Sequence, residues 1–259
     1  MAMTLREKLK IIDNWLIFRR RTYAVPGHFD IFDNGKYEVM TPIDDAKGYR
    51  EVFNIRLENL SDDELQQTVK EIRGITGHDS EDFVHIEWPF ACSERIHLAI
   101  RGEIPMHPMM DELVFGIMMP EDAPACPEIT RLTLKRVATR EDFAIWCRVL
   151  YNDEMIWVYD EEKHFHLVES GEMICLLAFV GEKLVATPCI LNEKGAAAFE
   201  HGEVLAKYQN SEVLIAIYQH AIRQAFEAGV NFVIGYTHPK FAPDSYAVFK
   251  KLGFLAVTS

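Results

Sequence analysis

The feature that most constrains the fold is a helix pattern followed directly by an uninterrupted apolar segment in the second half of the chain. Ser211 precedes an amphipathic pattern that carries Leu214 and Ile217 on one face, and Gly229 follows it as a stop signal. The next segment, VNFVIGY (230–236), is apolar apart from Asn231, as in a strand that is buried on both faces of a sheet. A helix beside such a strand predicts a mixed α/β domain.

Further patterns in the second half extend this domain. We predict the order strand, helix, three antiparallel strands, helix, strand, helix and strand, with turns at GEK and NEKG between the antiparallel strands. In that order, the predicted ranges are 133–138, 139–150, 173–180, 184–191, 195–205, 211–226, 230–236, 244–252 and 254–257.

The first half carries weaker patterns. Residues 4–20 have a helical period, and Ser61 with Glu64 is typical of a capping box that begins a second helix. Short strands are predicted at 83–88 and 112–119. A segment rich in proline and acidic residues, 121–128, predicts a linker. The sequence therefore predicts one domain at 1–127 and another at 128–259.

Composition limits the classes of partner and site. The formal net charge of −13 disfavours nucleic acid and anionic membranes as partners, and no apolar run approaches the length of a membrane span. The five cysteines form no C-x-x-C pair, so we predict no metal site and a reduced, cytoplasmic protein. His164 and His166 are interpreted as exposed loop histidines.

Three segments, taken in order, resemble the GNAT superfamily of acyl-CoA-dependent N-acyltransferases. They are the hairpin ICLLAFVGEKLVATPCIL, the loop and helix VLAKYQNSEVLIAIYQHAIRQAFEAGVNFVI, and the closing APDSYAVFKKLGF. The resemblance covers about residues 170–255. WPF (88–90) and GIMMPEDAP (116–124) resemble parts of a degenerate first copy, as in tandem members of the superfamily.

The resemblance implies a GNAT-type α/β fold, with a mixed and mostly antiparallel sheet flanked by helices, in two such units. It implies transfer of an acetyl group from acetyl-CoA to a primary amine of a small molecule or peptide. The implied coenzyme-binding segment follows the third antiparallel strand, and its residues are Val204, Leu205, Gln209, Asn210, Ser211, Glu212, Val213 and Leu214.

The implied phosphate loop departs from the superfamily pattern. Gln209 falls on its Arg/Gln position, but Glu212 and Leu214 stand where the pattern has small residues that let the backbone approach a pyrophosphate. A carboxylate beside a pyrophosphate is also repulsive. We therefore expect weak coenzyme binding, or a Glu212 side chain that points to solvent. Alternatively, Ser211 is simply a helix cap and Glu212 a favourable first-turn residue.

The implied catalytic residues also depart from the pattern. The superfamily places a tyrosine acid in its closing segment, where this chain has Phe249. Tyr246 lies one helical turn earlier and is the predicted substitute, while packing is the alternative role of its ring. Glu200 is the predicted base or amine-binding carboxylate, with His201 and Glu203 as neighbouring candidates.

These departures keep other functions open. A non-catalytic ligand-binding or regulatory module would retain the fold without the loop glycines and the acid. A longer acyl donor is a further alternative, since the methionine-rich stretch 106–119 is suited to an apolar pocket. The chain after Phe254 is short for the superfamily's final hairpin. We therefore predict that a strand of the first half, such as 112–119, or a strand of a second copy in a homodimer, completes the sheet.

Overall fold

The computed structural model describes most of the chain as two compact units, Met1–Pro108 and Met109–Ser259. The described residues are 3–25, 27, 29–43, 50–75, 84–101, 114–150, 160–200, 204–209, 211–240, 242–254 and 256–257. Within these ranges, no helix has the length and apolar character needed to cross a membrane.

The first unit is a four-stranded sheet with helices, in the sheet order β1-β2-β3-β4. The first three strands are antiparallel, and β4 is parallel to β3. The elements are α1 (Leu5–Ala24), β1 (Phe29–Asp33), β2 (Glu38–Pro42), β3 (Arg50–Phe53), α2 (Asp62–Ile75), β4 (Val84–Ile86) and α3 (Glu94–Arg101).

Side-chain caps fix where the helices of the first unit begin. The predicted capping box is present at α2, where the Glu64 carboxylate accepts from the Ser61 N–H at 2.9 Å and the Ser61 hydroxyl accepts from the Glu64 N–H at 3.4 Å. Thr4 and Glu7 form the same motif at α1. The buried face of α2, which includes Leu65, packs with α3 onto the sheet.

The second unit is a mixed sheet in the order β5-β11-β10-β9-β7-β6, with β8 paired to β7. Within this unit, only β10 and β11 are parallel among the strand pairs that the described residues form. The elements are β5 (Val114–Met118), β6 (Leu132–Arg136), α4 (Arg140–Leu150), α5 (Phe165–Ser170), β7 (Met173–Val180), β8 (Lys183–Ala186), β9 (Cys189–Glu193), β10 (Ala196–Glu200), α6 (Glu212–Glu227), β11 (Phe232–Thr237) and α7 (Pro243–Lys251).

Small residues let α6 pack closely on this sheet. Ala216, Ala221 and Ala225 are fully buried on the helix. Ala221 and Ala225 share a core with Val233 of β11 and Phe249 of α7. The core therefore lies between the sheet and the two helices that flank β11, as the continuous apolar strand predicted.

The predicted completing strand is confirmed. Residues 114–118 form β5, which pairs antiparallel with β11 from Val233–Met118 to Thr237–Val114. The end of the chain pairs with β5 as well, because the Val257 N–H donates to the Phe115 carbonyl at 2.6 Å. Since β5 belongs to the sheet of the second unit, the structural division lies at 108/109, before the predicted linker at 121–128.

Two predicted strands need correction, and three strands were missed. The predicted strand 184–191 is two strands, β8 and β9, separated by Thr187 and Pro188, because proline cannot donate to a ladder. The predicted strand 195–205 ends at Glu200, and Val204 makes only an isolated bridge to Ala186. The strands β1, β2 and β3 were not predicted.

The first unit repeats the element order of the second. Each has a helix, three antiparallel strands, a helix, a parallel strand and a helix. The first copy runs from α1 to α3, and the second runs from α5 to α7, with β8 as an insertion after β7. This repeat agrees with the expectation of two similar units.

Candidate active site

The strands β10 and β11 separate at their C-terminal ends. Parallel pairing reaches Ala198 and Ile234, and the described residues form no later pair between the two strands. Yet β10 continues to Glu200 and β11 to Thr237. An opening at the carboxyl ends of parallel strands is a general place for ligands in α/β sheets.

A cavity of about 540 Å³ occupies this opening. Its size is within the range of small-molecule sites. The side chains around it are mainly apolar and aromatic, and Glu200 and Asp244 are the charged residues among them. No lysine, arginine or histidine is found among the described residues that line it. The cavity is therefore suited to a cationic or neutral ligand more than to an anion.

Glu200 is the buried polar group of this cavity. Only 5% of the residue is exposed, and the Tyr236 hydroxyl donates a hydrogen bond to its Oε2 at 3.0 Å. Because the two residues lie on the separating strands, their side chains face each other across the opening. The Tyr236 ring lies 5.9 Å from the Phe115 ring, which supports it from β5.

Aromatic rings form much of the remaining wall. The Phe249 and Phe254 rings stack at 5.0 Å, and both lie next to Gly235. The Tyr218 ring meets the Phe199 ring edge to face at 4.7 Å. Burial raises the pKa of Tyr218, so its phenol stays protonated at neutral pH.

The predicted coenzyme segment is a 3₁₀ turn followed by the start of α6. The Ser211 hydroxyl accepts from the Leu214 N–H at 3.2 Å, so the predicted helix cap is present. Glu212 is exposed in the first turn, as expected if it points to solvent. Gln209 is exposed and its Nε2 donates to the Val204 carbonyl at 3.4 Å.

The structure brings part of the predicted site together. Glu200, Val204, Gln209 and Leu214 line the cavity. The residues of the predicted segment that are described but do not line it are Leu205, Ser211, Glu212 and Val213. Asn210, His201 and Glu203 lie outside the described residues.

Tyr246 does not line the cavity. The Tyr246 ring is half-buried and lies 6.1 Å from the Phe249 ring. Lys250 Nζ lies 4.5 Å from the centroid of the Tyr246 ring. Tyr246 thus contacts the outer side of the aromatic cluster. Its predicted catalytic role remains a prediction, whereas its packing role is visible.

Sequence reasoning missed Tyr236. It lies at the end of the continuous apolar strand β11, where the pattern predicts burial. The available signal was its position: it is the last aromatic residue of a strand whose carboxyl end meets that of β10. A polar aromatic there is suited to donate into the opening.

Two buried reactive residues of the second unit, Cys175 and His164, have structural roles. Cys175 and Cys189 are directly paired on β7 and β9, with their sulfur atoms 4.0 Å apart, and burial raises the pKa of Cys175 well above its usual value. His164 is buried rather than exposed as predicted. Its Nδ1 accepts from the Asp160 N–H at 2.8 Å, which fixes the turn before α5. The described residues contain no cluster of three metal-ligating side chains.

The fold of this chain is similar to that of two solved GCN5-related N-acetyltransferases. A GCN5-related N-acetyltransferase from Kribbella flavida has a TM-score of 0.56 and 14% identity, with coverage of 92% of this chain and 91% of that chain. A GCN5-related N-acetyltransferase from Sphaerobacter thermophilus has a TM-score of 0.55 and 11% identity, with coverage of 87% and 79%. No family model matches the sequence, and no curated protein matches it significantly. At these identities the likeness shows the GNAT fold and confirms the predicted fold class.

Proposed function

Because the chain has the fold of the GNAT acetyltransferases, we propose that it transfers an acetyl group from acetyl-CoA to a primary amine of a small molecule or peptide. One observation carries the proposal. A buried carboxylate, Glu200, faces a ligand-sized cavity at the point where the parallel strands separate. The same opening offers room for an amine beside a proton acceptor.

Glu200 takes the role of base. An amine enters as its ammonium form, and the carboxylate accepts a proton from it, directly or through one water. Asp244 adds negative charge to the same cavity, which lacks cationic side chains among its described lining residues. When bound, acetyl-CoA supplies the thioester: the C–N bond forms, the C–S bond breaks, and the acetyl group passes to the amine.

The start of α6 is the part of this chain that fits the coenzyme. The first-turn N–H groups of a helix have no acceptor inside the helix, and they favour an anion. Ser211 already accepts from Leu214, which leaves the amides of Glu212 and Val213 as donors. Because the Glu212 side chain is exposed, its charge is screened by solvent. The segment therefore fits a phosphate group weakly, in keeping with its lack of glycine.

The leaving thiolate needs a proton, and the cavity holds a better donor than the predicted Tyr246. Phe249 has no proton to give. The Tyr236 hydroxyl lies within the cavity and is already hydrogen-bonded to Glu200. We therefore assign the acid role to Tyr236, which shares one polar site with the base.

The test is an acetyl-transfer assay that detects the free thiol of coenzyme A with a panel of aliphatic, aromatic and peptidyl primary amines. We expect turnover with at least one apolar amine, and a decrease in kcat/KM of roughly 10²–10⁴-fold in Glu200→Gln. The matched control is Glu182→Gln, an exposed residue in the β7–β8 turn, which should behave as wild type. Equal rates for the wild type and Glu200→Gln would contradict the role of Glu200.

A non-catalytic binding module is the second candidate, and Glu212, Leu214 and Phe249 favour it. These residues replace the implied loop glycines and the implied acid. A module of this kind would bind amine or coenzyme A without releasing any thiol. The same assay, combined with binding measurements, separates it from an enzyme.

A further inference from the structure

The first unit has a cavity of its own. It encloses about 510 Å³ and lies where β3 and β4 end. Residues that directly follow β3, from Asn54 to Asn59, form one side, and Glu87, Trp88 and Pro89, which follow β4, form another. Helix α1 contributes a third side through Asp13 and its neighbours.

The cavity has the same place in its unit as the candidate active site has in the other. In each unit the opening lies at the carboxyl ends of two parallel strands that one helix connects along the chain. The strands β3 and β4 are connected by α2, and β10 and β11 are connected by α6. The pairing of β3 with β4 reaches Val52 and Ile86, after which the strands lead into the cavity walls. The repeated fold thus provides a second opening of ligand size.

The start of α2 is unsuited to an anion. Ser61 and Glu64 use their side chains to cap the first turn. Asp62 and Asp63 add two more carboxylates in that turn. A phosphate placed at this helix start would meet repulsion from these acidic side chains, which disfavours a nucleotide or coenzyme that binds through this helix.

The Asp13 carboxylate is the polar group of the cavity that is suited to hold a ligand. Its two carboxylate oxygens accept from the Phe90 and Ala91 N–H groups, each at 2.8 Å, which holds the segment after β4 against α1. Each oxygen has a second lone pair for a further donor. Burial raises the pKa of Asp13 to about 6, and the nearby Glu87 adds to this rise. A cation beside Asp13 would lower the free-energy cost of burying its charged carboxylate, whereas an anion would raise that cost.

The other walls are suited to an apolar body. Trp88 is half-buried at the cavity, and Leu57 and Ile96 are buried beside it. An indole face also attracts organic cations. The basic residues that line the cavity, Lys10 and Arg56, are both exposed, and Arg56 donates to Asp33.

We propose that the first unit binds a small organic ammonium with an apolar body, with Asp13 as its counter-ion and Trp88 as its apolar contact. This site is separate from the proposed acetyl transfer and does not depend on it. Glu58, Glu87, Cys92 and Lys10 are the other titratable or charged groups that share the cavity with Asp13, apart from Arg56.

The test follows the indole N–H signal of Trp88 by NMR in the full chain. The protein has four tryptophans. The Trp88 signal is assigned as the one that is missing from the spectrum of Trp88→Phe, a variant that keeps an aromatic ring at this position. Phenethylammonium and hexylammonium are titrated at pH 7.5, with phenethyl alcohol as the neutral match. We expect the ammonium probes to shift the Trp88 signal at concentrations where the alcohol does not.

Asp13→Asn should weaken ammonium binding by roughly tenfold or more, because it removes a charged hydrogen-bond acceptor. The matched control is Asp63→Asn, the same change at an exposed position of the same unit, and it should bind as wild type. If Asp13→Asn does not fold, the wild type at pH 5 replaces it. There the protonated Asp13 should weaken binding while the probes remain charged.

Three results would overturn the proposal. They are a Trp88 signal that neither ammonium probe shifts, an equal response to the alcohol, and binding that is unchanged both in Asp13→Asn and at pH 5. Glu200→Gln separates the two sites: it should leave the Trp88 response intact even where it abolishes acetyl transfer.

Discussion

At the residue scale, the hydrogen bond between Tyr236 and Glu200 links the two proposed proton-transfer groups. Tyr236→Phe removes the donor and keeps the ring. We expect kcat/KM to fall by roughly tenfold or more, since one hydrogen bond to a charged group is lost.

Steady-state kinetics measure the fall in kcat/KM of Tyr236→Phe, and Tyr246→Phe provides the comparison. If Tyr246 is the acid, as its sequence position suggested, its variant will lose more activity than Tyr236→Phe. That ranking would overturn our assignment of the acid role.

The raised pKa of Asp13 predicts an unusual pH dependence of the free energy of unfolding. Its pKa is about 6 in the folded protein against an ordinary value of 3.8, so the folded state binds more protons between these values. The free energy of unfolding should therefore decrease as pH rises from about 4 through 6, by up to about 3 kcal/mol from this residue. The loss levels off about one pH unit above this pKa, where the folded carboxyl is almost fully ionised.

Denaturant unfolding of the wild type and Asp13→Asn at several pH values measures this contribution. Asparagine cannot ionise, so the variant should lack this part of the pH dependence, even if it loses one of the two hydrogen bonds. Asp63→Asn is again the exposed control. A difference between the wild type and Asp13→Asn that stays constant across pH would contradict the prediction.

At the element scale, the best-predicted elements are those whose local pattern and packing agree. The helix α6 has a serine cap, an apolar face and a glycine stop, and β11 is apolar along its length. Both were predicted to within a few residues. The strand β1 reads FDIFD, with all but its first residue exposed at the edge of a sheet, so it has no burial pattern to detect.

The site was predicted in part for the same reason. Glu200 follows from strand alternation on β10, and Ser211 follows from cap chemistry. Tyr236 was missed because its role depends on the separation of β10 from β11, which is a contact between distant segments. Which of Tyr236 and Tyr246 lines the cavity likewise depends on tertiary packing, which local sequence does not encode.

Gly235 is a packing requirement of β11. A Cβ at this position would lie 3.0 Å from ring atoms of both Phe249 and Phe254. Gly235→Ala should therefore destabilise the second unit by roughly 1–3 kcal/mol. Chemical denaturation followed by circular dichroism measures the change.

The control is Gly74→Ala in α2, where an added Cβ meets no atom within 4 Å. A helical alanine should stabilise the first unit by up to about 1 kcal/mol. If Gly235→Ala were as well tolerated as Gly74→Ala, the aromatic wall of the cavity would be less tightly packed than the structure indicates.

At the scale of the whole molecule, β5 decides where the second unit begins. A fragment 109–259 keeps β5, whereas a fragment 128–259, the domain predicted from sequence, lacks it and exposes the edge of β11. We expect the longer fragment to be folded and the shorter one to aggregate or remain unfolded. Circular dichroism and size-exclusion chromatography of both fragments check this.

The two units repeat one fold but differ in their openings. The opening in the second unit contains the buried Glu200, and the opening in the first unit contains Asp13. The helix after the first opening's strand β3 also begins with acidic side chains. A repeated fold with different polar groups predicts different ligands for the two units. A folded fragment 109–259 that retains acetyl transfer would show that the reaction needs only the second unit.

Acetyl transfer by this chain is tested most directly by calorimetric titration of the full chain with acetyl-CoA, for the wild type and Glu212→Gly. We expect measurable binding by the wild type. We expect tighter binding by the variant, because the substitution removes a negative charge beside the phosphate site and lets the backbone approach it. If neither protein binds acetyl-CoA, the proposed acetyl transfer is wrong, since a cavity that cannot receive acetyl-CoA cannot carry out the reaction.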